Sequence, residues 1–142
     1  MSEMSDYITR VTKPLTDSLG TELPSNNDPE SLRKLKEITS YVEAQRVALA
    51  IIKRRVDVVV NERQNELAGE FNIKHLNDQK QPTSVERERW IKAHMADELA
   101  NQKYLDNLQD IIKGKVSLAQ SFLRSMQLES EAGNNNNQLR SI

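Results

Sequence analysis

Apolar side chains recur at steps of three and four along the middle of this chain. Leu35, Ile38, Val42, Gln45, Leu49, Ile52, Val56 and Val59 follow that spacing without a break, and only Gln45 is polar. Alternating three- and four-residue steps are the heptad pattern, which predicts a helix with a coiled-coil seam. A polar residue on such a seam sets register or subunit number, so Gln45 is a candidate for that role. A second line, Val47, Ile51 and Val58, lies off the seam. Two apolar faces on one helix call for two neighbours. The run Val58-Val59-Val60 favours strand by propensity, but the helical period holds for four turns before it, and helix is the expectation here.

The start of this helix is written locally. Asp28 suits the N-cap, Pro29 the first helical position, and Glu30 the positive end of the dipole. No glycine or proline follows until Gly69, so about 40 helical residues are expected at about 1.5 Å each. Residues 69–83 read as a connector in which Phe71, Ile73 and Leu76 could pack locally. A second long helix is expected from Thr83 or Ser84, where Thr83 and Glu86 have capping-box spacing. Its seam is Ile91, Met95, Leu105, Ile112, Val116, Ala119, Leu123 and Met126, with Tyr104, Leu108, Ile111, Leu118 and Phe122 beside it. Gly114 falls inside and marks an expected bend or break, at a cost of about 1 kcal/mol against alanine.

The ends are different. Residues 1–28 are polar and contain Pro14, Gly20 and Pro24, so they read as a flexible arm. Met4, Ile8 and Val11 allow a short helix near 3–12. Residues 132–142, with four consecutive asparagines, read as a disordered tail. The expected fold is therefore all-α: two long amphipathic helices over 29–131, paired as an antiparallel coiled-coil hairpin that oligomerises.

Composition strengthens the oligomer expectation. Hydrophobic residues make up 37%, and the aromatics include one Trp and two Phe, too little for a large private core. There is no cysteine, which excludes disulfides, cysteine zinc sites and thiol nucleophiles. Met1 to Lys13 holds no continuous apolar stretch, so no signal peptide is expected, and no window suits a membrane span. A cytoplasmic protein is expected (host cytoplasm if the chain is phage-encoded).

Candidate chemistry is sparse. His75 and His94 lack partners at metal-ligand spacing. Asp97-Glu98 and Glu86/Glu88 diverge on a helix, and no glycine-rich phosphate loop exists. No catalysis, cofactor or metal is expected. The basic cluster Lys53-Arg54-Arg55, with Arg46 seven residues before Lys53, is the polar feature that points to a ligand. Net charge is −1, so any basic surface is local. In an oligomer the cluster would repeat as a positive belt that attracts phosphates. The competing reading is a solvated face with local pairs, since Asp57 follows Lys53 by four and Glu43 precedes Arg46 by three. Trp90 and Tyr104 are candidates for stacking on bases or for packing on a partner helix. Lys113 and Lys115 flank Gly114 and are candidate anion ligands or simple exposed lysines.

The order of parts resembles the UvsY-type recombination mediators of tailed phages. The residues that carry the likeness are Glu43-Ala44-Gln45, the apolar run Val47 to Ile52, Lys53-Arg54-Arg55-Val56-Asp57, and the later stretch from Tyr104-Leu105 to Lys113. The likeness covers roughly residues 30–130. It implies a ring-like oligomer that binds single-stranded DNA and helps load a RecA-like recombinase while displacing a single-strand-binding protein. Arg46, Lys53, Arg54 and Arg55 are then the expected DNA contacts. A structural or assembly coiled coil, such as a virion component, and a helical adaptor or inhibitor remain the alternatives.

Overall fold

A computed structural model describes residues 3–24, 26 and 28–140, with side chains at 130 and 133–140 left aside. The described residues form four α-helices: α1 (Glu3–Leu19), α2 (Pro29–Lys74), α3 (Ser84–His94) and α4 (Ala96–Arg140). The all-α expectation holds. The count differs from the two expected helices.

Helix α1 contains the short helix allowed near 3–12 and continues to Leu19, through much of the segment read as an arm. Its inward line is Ile8, Thr12, Leu15 and Ser18, all buried, at steps of four, three and three. Two of these are hydroxyl residues, which hides the line from any apolar pattern. Thr12 Oγ1 donates to Ile8 O at 2.7 Å and Ser18 Oγ to Leu15 O at 2.6 Å, so neither hydroxyl is buried unsatisfied. Pro14 lies within the helix and offers no N–H to the carbonyl four residues earlier.

Helix α2 starts as expected. Asp28 caps it, accepting from Ser31 N at 2.8 Å and Ser31 Oγ at 2.9 Å. These hydrogen bonds hold the Asp28 carboxyl below its ordinary value. The helix passes Val58-Val59-Val60 and Gly69 and ends at Lys74. Leu35, Val42, Leu49 and Val56 are buried at seven-residue steps, but the next buried positions are Val60, Leu67 and Phe71. Val59, the expected seam residue, is exposed. A straight α-helix drifts by about 20° per heptad against a strict seven-residue repeat. After three heptads the inward face has turned far enough that a four-residue step, Val56 to Val60, replaces the expected three.

The second long helix is divided. Thr83 caps α3, its hydroxyl accepting from Glu86 N at 3.2 Å. The division falls at Met95 (φ −119°, ψ 21°), whose side chain is buried. The break expected at Gly114 does not occur, because α4 is continuous through it. A Cβ at Gly114 or Gly69 would meet nothing within 4 Å, so both glycines are helical positions with empty space beside them. α4 runs past the expected end near Glu131 to Arg140. Residues 141–142 of the expected tail lie outside the described residues.

The chain divides into two compact units. One comprises Met1–Thr12 and Ala50–Leu108. Its core is Ile8, Val56, Val60, Leu67, Phe71, Ile91, Met95, Leu105 and Leu108. Polar ties surround that core: Ser5 with Asn101 at 3.2 Å, Gln102 Nε2 donating to Asp57 Oδ1 at 3.0 Å, and Lys53 Nζ with Asp106 Oδ1 at 2.6 Å. Numbers fall along α4 as they rise along α2 in the last two pairs, so these segments run in opposite directions. The other unit comprises Lys13–Leu49 and Gln109–Ile142. Its core is Leu15, Leu35, Val42, Leu49, Ile112, Val116, Ala119 and Met126. Here Lys115 Nζ donates to the carbonyls of Ser18 and Leu19 at 2.9 Å each and of Thr21 at 2.6 Å, closing the C-terminal end of α1. Among the described residues no helix is long and apolar enough to cross a membrane.

Candidate nucleic-acid interface

The four basic residues expected to act together have different surroundings. Arg46 belongs to the second unit and is committed to Glu43, one turn earlier on α2, through its Nε (3.1 Å) and a guanidinium nitrogen. The hydrogen bond holds the Glu43 carboxyl below its ordinary value and raises Arg46 above its own. The local-pairing reading therefore describes Arg46. Lys53 belongs to the first unit and is half-buried, spanning to Asp106 on α4. Asp57, its expected partner, instead accepts from Gln102.

Arg54 and Arg55 differ from both. They are exposed, and no ion pair to either is found among the described residues. The other α2 arginines, Arg33, Arg46 and Arg63, are all paired with carboxylates. The contrast follows from register. Val56 and Val60 point inward, which turns positions 54, 55 and 58 away from the core. Ile51, Arg54, Arg55 and Val58 stand at i, i+3, i+4 and i+7, so they form one contiguous patch on the helix surface. Ile51 and Val58 are each 51% exposed. The patch is thus a pair of solvated guanidinium groups bracketed by two half-exposed aliphatic side chains.

The aromatic candidates separate as well. Trp90 packs 5.4 Å from the Phe71 ring and 4.0 Å from His94, so its ring is occupied by the protein. His94 Nδ1 lies 2.8 Å from Trp90 O. Tyr104 is 43% exposed. Gln45 is half-buried on the inward side of α2. The flanking lysines part company: Lys113 is exposed, whereas Lys115 is spent on α1. Burial pushes the Lys115 ammonium below its ordinary value.

Sequence reasoning missed the order in the connector between α2 and α3. His75 Nδ1 pairs with Asp78 Oδ2 at 2.6 Å, and its ring lies 4.5 Å from that of Phe71. Gln81 Nε2 donates to the carbonyls of His75 and Asp78 at 3.1 and 3.0 Å. The three-residue spacing of His75 and Asp78 was a usable signal for a local turn. Among the described residues no group of three or more His, Asp or Glu is placed to hold a metal ion.

The class that these features define is an all-α chain with an exposed basic and aliphatic patch on its longest helix. No family model matches the chain, and no curated protein or solved structure is significantly similar to it.

Proposed function

We propose that this chain is a non-enzymatic accessory protein that binds single-stranded DNA as an oligomer, with Arg54 and Arg55 as the principal phosphate contacts. The observation that carries the reading is the exposure of these two arginines with no carboxylate partner among the described residues, beside Ile51 and Val58. Two charges bind a phosphate backbone weakly. Repetition across copies of the chain multiplies them, and the affinity gain comes from effective concentration rather than from new contacts. Pairing of α2 and α4 as a coiled-coil hairpin, and association of hairpins through the half-exposed aliphatic residues, supply that repetition. Arg46 and Lys53 contribute in second place, because each must leave or share its carboxylate. A RecA-like recombinase is the protein partner this reading suggests.

The test is an anisotropy titration of a labelled oligothymidylate at several salt concentrations, alongside the mass in solution. Binding should be indifferent to sequence and fall with salt, with a log–log slope of about −0.7 per neutralised phosphate. Arg54→Glu with Arg55→Glu should abolish it while helicity and mass stay unchanged. Lys113→Glu should matter little. Absence of binding at low salt rejects the reading.

A second reading rests on a different observation. Val47, Ile51 and Val58 are each about half exposed, which suits a structural or assembly protein whose α2 packs against other copies. It predicts a mass above the monomer with no DNA binding, and a monomer rejects it.

A further inference from the structure

The end of α2, the connector and the first turn of α3 line a half-open cavity of about 320 Å³ within the first unit. Small-molecule pockets run from about 300 to 1,000 Å³, so this one is ring-sized rather than cofactor-sized. Its apolar lining is Phe71, Leu76 and Pro82. Its polar lining is of two kinds. His75, Gln81 and Thr83 hold the walls: His75 pairs with Asp78, the Gln81 amide donates to two carbonyls, and the Thr83 hydroxyl accepts from Glu86 N. Backbone hydrogen bonds from Leu76 to Ile73 and from Asp78 to His75 close the turn on the same side. Asn72 and Arg87 also line the cavity, and no hydrogen bond or ion pair of their side chains is found among the described residues.

We propose that this cavity is a nucleotide subsite, which takes one base of a single strand together with its phosphate. The inference rests on the DNA-binding reading and extends it to a second place on the chain. Each element of the lining matches one part of that ligand. A planar base fits against the aliphatic walls Leu76 and Pro82, and apolar contact of this kind tolerates any base, whereas the Phe71 ring is 6% exposed and already packed by His75 and Trp90. A carboxamide carries a donor and an acceptor side by side, which is the pattern of a base edge. A guanidinium pairs with phosphate through two parallel N–H donors. The groups that would compete for the ligand are already satisfied within the turn, so the cavity does not need to rearrange in order to bind. The acidic groups nearby are Asp78, which is engaged by His75, and Glu86 and Glu88 on either side of Arg87.

Trp90 is the sole tryptophan of the chain, and its ring lies 5.4 Å from Phe71, so its fluorescence reports on the cavity. The full-length protein should be titrated with thymidine 5′-monophosphate, with thymidine, and with inorganic phosphate. A saturable change with the nucleotide is expected, at least tenfold tighter than with either fragment. Arg87→Ala and Asn72→Leu should each weaken it about tenfold without loss of helicity. Arg54→Glu with Arg55→Glu should leave the mononucleotide signal intact while removing oligonucleotide binding, which separates the two proposals. No saturable signal with the nucleotide overturns the subsite. Equal binding of inorganic phosphate overturns it too, because the base would then contribute nothing. If mononucleotide binds and no strand does, the cavity is a mononucleotide site, and both its place on a strand and the DNA-binding reading fall.

Discussion

Replacing Lys115 with methionine isolates the contact that closes the end of α1. Methionine keeps most of the length and apolar surface of the lysine stem, so burial is nearly conserved and the ammonium is what disappears. Three hydrogen bonds go with it, to the carbonyls of Ser18, Leu19 and Thr21. A hydrogen bond to a charged group contributes about 1.5–3 kcal/mol in favourable surroundings. The full sum does not apply here. The Thr21 contact is exposed and the other two are part-buried, so water replaces some of what is lost. The dipole of α1 adds a few tenths of a kcal/mol at its negative end, or about 1 at most. A net loss of about 1–3 kcal/mol follows. At an m-value of about 2 kcal/mol per molar urea, that moves the unfolding midpoint down by about 0.5–1.5 M. Urea unfolding followed by circular dichroism measures it, and hydrogen exchange of the α1 amides locates it. Lys113→Met is the control, since Lys113 is exposed two residues away on the same helix. Equal midpoints for the two variants would refute the clamp, as would unchanged exchange in α1.

Three other outcomes follow from the packing and the caps. Leu105 is 0% exposed, so Leu105→Ala should cost about 2–5 kcal/mol in urea unfolding. Gly114→Ala should instead stabilise by about 0.4–1 kcal/mol, because the new methyl meets no atom within 4 Å; destabilisation would show that the glycine is needed where it stands. The Asp28 carboxyl lies below its ordinary value in the folded chain, so its contribution is present above the ordinary carboxylate range and is lost as pH falls through the lower folded value. The Ser31 amide resonance should titrate with a midpoint below that of an unperturbed aspartate, and Asp28→Asn should remove the titration.

What was legible in the sequence is what neighbouring residues decide. Asp28, Pro29 and Glu30 make a helix start from three consecutive positions, and Thr83 with Glu86 makes another. The inward line Leu35, Val42, Leu49 and Val56 was readable because one helix face repeats at a spacing set by backbone geometry alone. Tertiary structure decided the rest, for reasons of distance and drift. Val60 rather than Val59 is buried because the face that meets a neighbour turns slowly against a heptad frame, and only the neighbour shows where the step is taken. Only the first part of α1, near 3–12, was legible as a helix; its continuation to Leu19 was not, because its inward line includes Thr12 and Ser18, and because the residues that hold it, Asn101 and Lys115, lie more than 90 positions away. The helix division sits at buried Met95 and not at Gly114, through which α4 is continuous. The basic cluster shows the same split. Its composition was plain from the chain, but Asp106, 53 positions beyond Lys53, is what removes that lysine from the free surface and leaves Arg54 and Arg55 exposed.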